Sequence, residues 1–161
     1  MQKADAMIQV KISTFSGTEA HQTQIVGAEV LVVVAELRNV VCRSLWSPFT
    51  FKHVIDFPST GGKGLVTGKY RATSCFESTA TLVYDVDNQL ALQRAIEICN
   101  GLGVYSVIGT TRNHQKQKGN KPPCDRFRII LFLSKPVTEA DDYARIWNAF
   151  ARVFGADQQC K

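Results

Sequence analysis

The chain lacks the sequence features of several protein classes. Only five of its 161 residues are cysteines, and they are scattered singly with no C-x-x-C pair, so we expect neither a zinc site nor a disulfide framework. No apolar run reaches about 18 residues, so no membrane-spanning helix is expected. No apolar segment follows the N-terminal Met-Gln-Lys-Ala-Asp-Ala, as a signal peptide would require. We therefore expect a cytoplasmic protein with reduced thiols and no membrane partner.

Positive charge is concentrated in one segment. The chain carries 19 Lys+Arg and 14 Asp+Glu, a net charge of +5. A single acid, Asp125, interrupts six basic residues between positions 112 and 128, whereas charge elsewhere is balanced. A localised basic segment favours contact with a polyanion, although a solvated loop explains it equally well. The basic residues are Arg112, Lys116, Lys118, Lys121, Arg126 and Arg128.

An apolar run that ends in two acids is the most informative motif. Thr81-Leu-Val-Tyr-Asp-Val-Asp87 has the composition of a buried strand. In a strand, Asp85 and Asp87 would point to the same face, about 7 Å apart along the chain. Two carboxylates on one face suit Mg²⁺ or Mn²⁺, which also take phosphate oxygens. Alternatively, Asp87 or Asn88 is simply the N-cap of the following helix, which Gly101 or Gly103 would end.

The hydrophobic periodicity predicts an α+β fold. Strands are predicted over 6–14, 81–87, 104–111 and 126–133, and helices over 22–39, 88–100 and 138–155. The segment 40–68 is predicted to be mostly loop with short extended pieces, and 112–124 to be loop. From residue 81 the order is strand, helix, strand, strand, helix, which is an RRM/ferredoxin-like unit without its last strand. We expect one domain over 1–161, with an antiparallel palm over 81–161 that carries its helices on one face and an N-terminal α/β sub-lobe over 1–80. The missing strand lies in that sub-lobe, or the chain comes from a longer protein.

Four charged side chains are predicted to share the open face of this sheet. Arg126 and Arg128 alternate along their strand as Asp85 and Asp87 do along theirs, and the two strands should be neighbours. Carboxylate-bound metal beside two guanidinium groups would suit a nucleoside triphosphate. His114 follows the middle strand and could donate to a phosphate oxygen, although a lone loop histidine is usually incidental.

The pattern of Asp85-Val-Asp87, His114 and Arg126-Phe-Arg128 resembles the archaeo-eukaryotic primase superfamily, in particular the primase-polymerase domains of plasmid and phage replication proteins. Leu82–Asp87 matches the strand motif that ends in two acids, and Thr110–His114 approximates the second motif. The resemblance covers about residues 80–160. The chain departs from the second motif because Arg112 and Asn113 precede the histidine.

The resemblance implies metal-dependent, template-directed nucleotide polymerisation on single-stranded DNA. Asp85 and Asp87 would bind Mg²⁺ or Mn²⁺, and the catalytic set would be completed by His114. The nucleoside triphosphate would contact His114, Arg126, Arg128 and Lys116, and the DNA would contact Lys118, Lys121 and Arg112. A helicase domain or protein is a further expected partner. A third acid is expected, for which Asp125 and Asp157 are the candidates.

Two other functions fit parts of the pattern. Val83–Leu90 resembles the first motif of haloacid-dehalogenase-type phosphatases, which need a parallel sheet and a later acidic pair. A non-catalytic module that binds single-stranded nucleic acid could use an open basic sheet without metal, although the expected open face lacks a pair of stacking aromatic residues. Metal-dependent nucleotide binding separates the enzyme from such a module.

Overall fold

The computed structural model describes residues 9–15, 26–43, 45–59, 64–87 and 90–155. The fold is α+β with antiparallel sheets, as predicted. In chain order the elements are β1 (Gln9–Phe15), β2 (Ala28–Val33), α1 (Val34–Arg43), β3 (Leu45–Ser47), β4 (Thr50–Phe51), β5 (His53–Pro58), β6 (Leu65–Lys69), β7 (Phe76–Val86), α2 (Leu92–Leu102), β8 (Ser106–Thr110), β9 (Phe127–Val137) and α3 (Ala140–Phe154). None of the helices in this part of the chain has the length and apolarity that a membrane crossing requires.

The chain divides into two compact units, one comprising residues 1–80 and 136–140 and the other residues 81–135 and 141–161. In the first unit, β1 lies between β2 and β3, and both pairings are antiparallel. Strands β5 and β6 form a separate antiparallel hairpin. A core cluster of Phe15, Phe51, Tyr70 and Cys75 is almost fully buried. This unit therefore has an apolar core of its own.

Two predictions in the first unit were wrong in part. The segment 22–39 was expected to be a helix, but Ala28–Val33 is a strand and only then does α1 begin. Its run of valines fits a pleated strand, and pairing with β1 decided the outcome. The segment 40–68 was expected to be mostly loop with short extended pieces, yet strands β3, β4, β5 and the start of β6 make up much of it. Cross-strand pairs that a reading of local composition does not detect stabilise these strands.

The second unit has the predicted order of elements. Its strands are arranged β7-β9-β8, and β8 pairs antiparallel with β9 from Ser106↔Leu131 to Thr110↔Phe127. This is the order of the first three strands in a ferredoxin-like unit. The two-residue strand β4, from the N-terminal half, pairs antiparallel with the start of β7. The paired residues of β7, Phe76 and Ser78, belong to the first unit.

Helix α3 packs on the apolar face of β7. Tyr84 and Trp147 are completely buried, and their rings stack with centroids 5.1 Å apart. The Tyr84 hydroxyl donates to the Trp147 carbonyl at 3.1 Å, and the Trp147 indole N–H donates to the Val83 carbonyl at 3.0 Å. Burial raises the pKa of Tyr84 well above its usual range. Because this face of β7 is apolar and covered, Asp85 and Asp87 point to the opposite face.

Helix α2 does not have the predicted N-cap. The residue before its first turn is Ala91, whose side chain makes no capping bond, and Asp87 points elsewhere. Asn88 lies outside the described residues. The backbone N–H of Leu92 instead donates to the carboxylate of Asp125 at 2.6 Å. At the other end, Gly103 has φ +62° and ends the helix as predicted, because glycine adopts this left-handed conformation without a Cβ clash.

Candidate functional site

The ends of β7 and β9 bring the two predicted pairs of charged residues together. Asp85 lies opposite Arg128, and Asp87 lies opposite Arg126. Two steps forward along β7 thus correspond to two steps back along β9, as in an antiparallel ladder. All four side chains therefore point to one side of the two strands. The prediction that this side is open to solvent was wrong for Arg126, which is buried.

Asp85 and Arg128 form a bidentate ion pair. The Arg128 Nε donates to Asp85 Oδ1 at 2.5 Å, and Nη2 donates to Oδ2 at 2.8 Å. Two parallel hydrogen bonds fix the relative orientation of the two planar groups. Both side chains keep about a third or more of their surface exposed, 34% for Asp85 and 39% for Arg128. The pair is accessible to a ligand from solvent.

Three cations surround Asp87. Its Oδ1 accepts a hydrogen bond from Arg126 Nε at 2.7 Å, and its Oδ2 lies 3.0 Å from Lys118 Nζ and 3.6 Å from Lys121 Nζ. The hydrogen bonds from Lys118 and Arg126 lower the pKa of Asp87 to about 2. This carboxylate is therefore ionised throughout the physiological range, as a metal ligand has to be. It is not a helix cap.

Arg126 is buried, and its guanidinium donates four hydrogen bonds. Besides Asp87, it donates to three backbone carbonyls: Nη1 to Asn113 at 2.9 Å and to Lys116, and Nη2 to Pro122 at 3.0 Å. These four bonds use most of the five N–H donors of a guanidinium. Its side chain is only 2% exposed. Arg126 therefore differs sharply from Arg128, although the sequence pattern treats them alike.

The three carbonyls belong to the segment 112–125, called here the basic loop. Within it, Lys118 and Lys121 exchange backbone hydrogen bonds of 3.2 and 3.0 Å around a tight turn. Gly119 has φ +57° at the first central position of that turn, where glycine is the residue of least strain. The Gln115 N–H donates to the Cys124 carbonyl at 2.9 Å. The loop is thus a hydrogen-bonded structure that presents lysines beside Asp87.

His114 lies at the base of the basic loop. Its Nδ1 accepts a hydrogen bond from the Arg126 backbone N–H at 3.2 Å, which assigns the proton of the neutral ring to Nε2. Nε2 lies 3.9 Å from the carboxylate of Asp125. The side chain of His114 is one quarter exposed. This nitrogen can act as a hydrogen-bond donor to a ligand.

Asp125 is engaged away from the Asp85–Asp87 pair. One of its oxygens accepts from the Leu92 N–H, and the other accepts from the side-chain amide of Gln115. The bond from Leu92 is the main reason that the pKa of Asp125 lies below its usual value. Sequence reasoning missed this cap because Asp125 is far from α2 along the chain. Asp157, the other candidate for a third acid, lies outside the described residues.

Arg112 and Lys116, the remaining predicted ligand-binding residues, are exposed on the basic loop. Lys116 contributes its backbone carbonyl to Arg126, as described above. The sequence offered no signal for that role, because any residue type carries a carbonyl. The structure therefore gathers Asp85, Asp87, Arg126, Arg128, Lys118 and Lys121 directly, with His114 bonded to the backbone of Arg126.

The carboxylates of Asp85 and Asp87 fit a metal site that a bound ligand completes, and not a site made of protein ligands alone. Within the part of the chain that the structure describes, no group of three or more His, Cys, Asp or Glu residues could hold a metal. Mg²⁺, however, is commonly bound through one or two carboxylates while phosphate oxygens and water fill its remaining positions. Asp85 and Asp87 supply that number of carboxylates on one accessible face. The donor set fits a divalent ion that arrives with a phosphate ligand, and not one bound by the protein alone.

Comparisons with known proteins neither support nor oppose the predicted family. No protein-family model, no curated protein and no solved structure matches the chain. The function of this chain is therefore inferred from the geometry of its site.

Proposed function

We propose that this chain is the catalytic domain of a DNA primase-polymerase, which transfers nucleotides onto a single-stranded DNA template in plasmid or phage replication, in the cytoplasm. The observation that carries the proposal is the pairing of each carboxylate with cations that would suit phosphate. Asp85 and Asp87 lie on one face, and Arg128, Lys118 and Lys121 already contact them.

This arrangement is suited to an exchange of partners. A metal–triphosphate complex carries both a cation for the carboxylates and anionic oxygens for the basic groups. The ion pairs of the free protein could therefore be replaced without leaving a charge unpaired, which would otherwise be costly at a partly buried site. A lone divalent cation would compete with Arg128 and the lysines and gain no such compensation. We therefore expect metal and nucleotide to bind together.

Each residue then has a distinct role. Asp85 and Asp87 would hold Mg²⁺ or Mn²⁺, which when bound supplies Lewis-acid stabilisation of charge on the reacting phosphate. Arg128 and Lys116 would contact the triphosphate, and the Nε2–H of His114 would donate to one of its oxygens. Lys118 and Lys121, which already contact Asp87, would contact the triphosphate as well as the template backbone. Arg112 would contact the template backbone, whose phosphates attract exposed cations without regard to sequence.

Calorimetry tests the first requirement of this function. ATP should bind to the wild-type protein in the presence of Mg²⁺ and bind at least about tenfold more weakly in excess chelator. Asp85→Asn should remove the metal dependence. Asp142→Asn provides a matched control, since Asp142 forms an exposed ion pair with Arg145 on α3. Equal ATP affinity with and without metal would overturn the proposal.

A non-catalytic module for single-stranded nucleic acid is the second candidate. It is favoured by one observation: the described residues offer two clustered carboxylates, and both are already neutralised by basic groups. Such a module would bind DNA equally well with metal or chelator. The antiparallel sheet does not match the parallel sheet of the phosphatase alternative, which we do not propose.

A further inference from the structure

We infer that Arg126 is a positioning residue: it holds the basic loop in the conformation that places Lys118 and Lys121 beside Asp87, and it does not itself contact the ligand. The sequence makes Arg126 and Arg128 look equivalent, since they alternate on one strand face. In the structure, the surroundings of the two side chains differ in two respects.

Accessibility is the first difference. The Arg126 side chain is 2% exposed, whereas that of Arg128 is 39% exposed. A phosphate group can reach a guanidinium only if some of its N–H edge faces solvent. Arg128 meets this condition in the observed conformation, and Arg126 would first have to leave its buried position.

The identity of the partners is the second difference. Three of the four hydrogen bonds of the Arg126 guanidinium go to backbone carbonyls at Asn113, Lys116 and Pro122. These residues span most of the basic loop, so one side chain ties together points that are distant along it. The fourth bond goes to Asp87. Through this single group, the conformation of the loop is linked to the carboxylate.

The loop needs such a tie. It contains a left-handed residue other than glycine, Gln115 with φ +53°, and such a conformation is maintained only where surrounding contacts enforce it. Lysine cannot replace Arg126 in this role. An ammonium group has three donors at a single point, whereas the guanidinium spreads five donors over a plane and can reach carbonyls on different sides.

Amide hydrogen exchange tests the inference without any ligand. In Arg126→Lys, exchange at Gln115, Lys118 and Lys121, whose N–H groups form the loop's internal bonds, should accelerate at least about tenfold. Exchange at Phe132, which donates to Tyr105, should stay unchanged. Arg128→Lys is the matched control, with the same substitution on the same strand face, and should leave loop exchange as in wild type. Unchanged loop exchange in Arg126→Lys would overturn the inference.

Nucleotide binding provides a second arm, which rests on the proposed function. Arg126→Lys should weaken binding of Mg²⁺–ATP about as much as the double change Lys118→Ala, Lys121→Ala. Combining all three changes should weaken it no further, since the effects act through one unit. A further loss of about tenfold in the combined variant would show that Arg126 contacts phosphate itself. If the wild type binds no nucleotide, the proposed function fails while the exchange experiment still decides the role of Arg126.

A measurement on the wild type covers the case in which Arg126→Lys does not fold. NMR of the arginine Nε–H groups should show the Arg126 signal protected from exchange with solvent, both in the free protein and with Mg²⁺–ATP or inorganic triphosphate bound. Rapid exchange of the Arg126 signal with solvent would contradict the inference.

Discussion

Asp87 directly follows β7 and Arg126 directly precedes β9, and the two side chains form an ion pair of which only Asp87 is accessible to water. The Arg126 Nε is 2.7 Å from Asp87 Oδ1, and the two side chains are 2% and 22% exposed. An accessible carboxylate is thus fixed by a buried cation. The same contact stabilises the fold and orients a group that a ligand can approach.

Asp85 is the better of the two acids for testing catalysis. Its loss leaves Arg128 partly exposed, so the remaining charge can be solvated. We expect Asp85→Asn to fold normally and to reduce template-dependent primer extension at least about a hundredfold, because a metal ligand is removed. Gel analysis of extended primers measures this, with Asp142→Asn as control. Extension at the wild-type rate would exclude a metal-binding role for Asp85.

Asp87 should make stability depend on pH in the acid range. Its pKa is lowered from 3.8 to about 2, so its ionised form is favoured in the folded state. The resulting stabilisation is fully present above about pH 4 and is lost as pH falls towards the folded-state pKa. After allowance for solvent screening, we expect Asp87→Asn to lose about 1–2 kcal/mol at pH 7 and almost nothing near pH 2. Urea unfolding of both proteins across this range measures the difference, and a difference independent of pH would contradict it.

Lys118 and Lys121 should contribute to binding of single-stranded DNA through counterion release. Removing both by alanine substitution should reduce the slope of log K against log salt concentration by about 1.4, or roughly 0.7 for each phosphate that a lysine no longer neutralises. Fluorescence anisotropy with a labelled oligonucleotide measures the slope. Lys52→Ala with Lys135→Ala is a control that removes the same charge from exposed positions outside the basic loop. Equal slopes for the two double variants would show that only net charge matters.

Tyr84 and Trp147 should dominate the stability of the second unit. Trp147→Ala should cost about 3–5 kcal/mol, since it creates a large cavity against β7. Tyr84→Phe should cost about 1 kcal/mol through loss of the bond to the Trp147 carbonyl. Val153→Ala, at a 46% exposed position on the same helix, should change stability by less than about 0.5 kcal/mol. Denaturant unfolding provides all three values, and a Trp147→Ala cost no larger than that of Val153→Ala would refute the packing argument.

Substitutions of Asp125 distinguish two roles of this residue, a cap of α2 and a third metal ligand. Asp125→Asn keeps an oxygen that can accept from Leu92, whereas Asp125→Ala does not. We expect amide exchange at Leu92 to accelerate roughly fivefold to tenfold in Asp125→Ala and little in Asp125→Asn. Metal-dependent ATP binding should persist in Asp125→Asn. Its loss there would identify Asp125 as a ligand.

Patterns that repeat within one element were predictable. The period of Tyr143, Trp147 and Phe154 identified α3. Strand alternation placed Arg126 and Arg128 on the face opposite Phe127 and Ile129. Gly103 marked the end of α2. The N-terminal half was less predictable because its valine-rich segment is compatible with helix and strand alike, and only the pairing of β2 with β1 decides between them.

The sequence by itself determined the acids and arginines on alternating positions of two strands, because side-chain direction along a strand is a local property with a period of two. Only the tertiary structure decided that Arg126 is buried beneath the basic loop while Arg128 faces solvent, and that Asp125 caps a helix more than thirty residues away. These differences depend on where backbone carbonyls and N–H groups of distant segments come to lie. Backbone groups are the same in every residue, so no pattern of side chains could have revealed them.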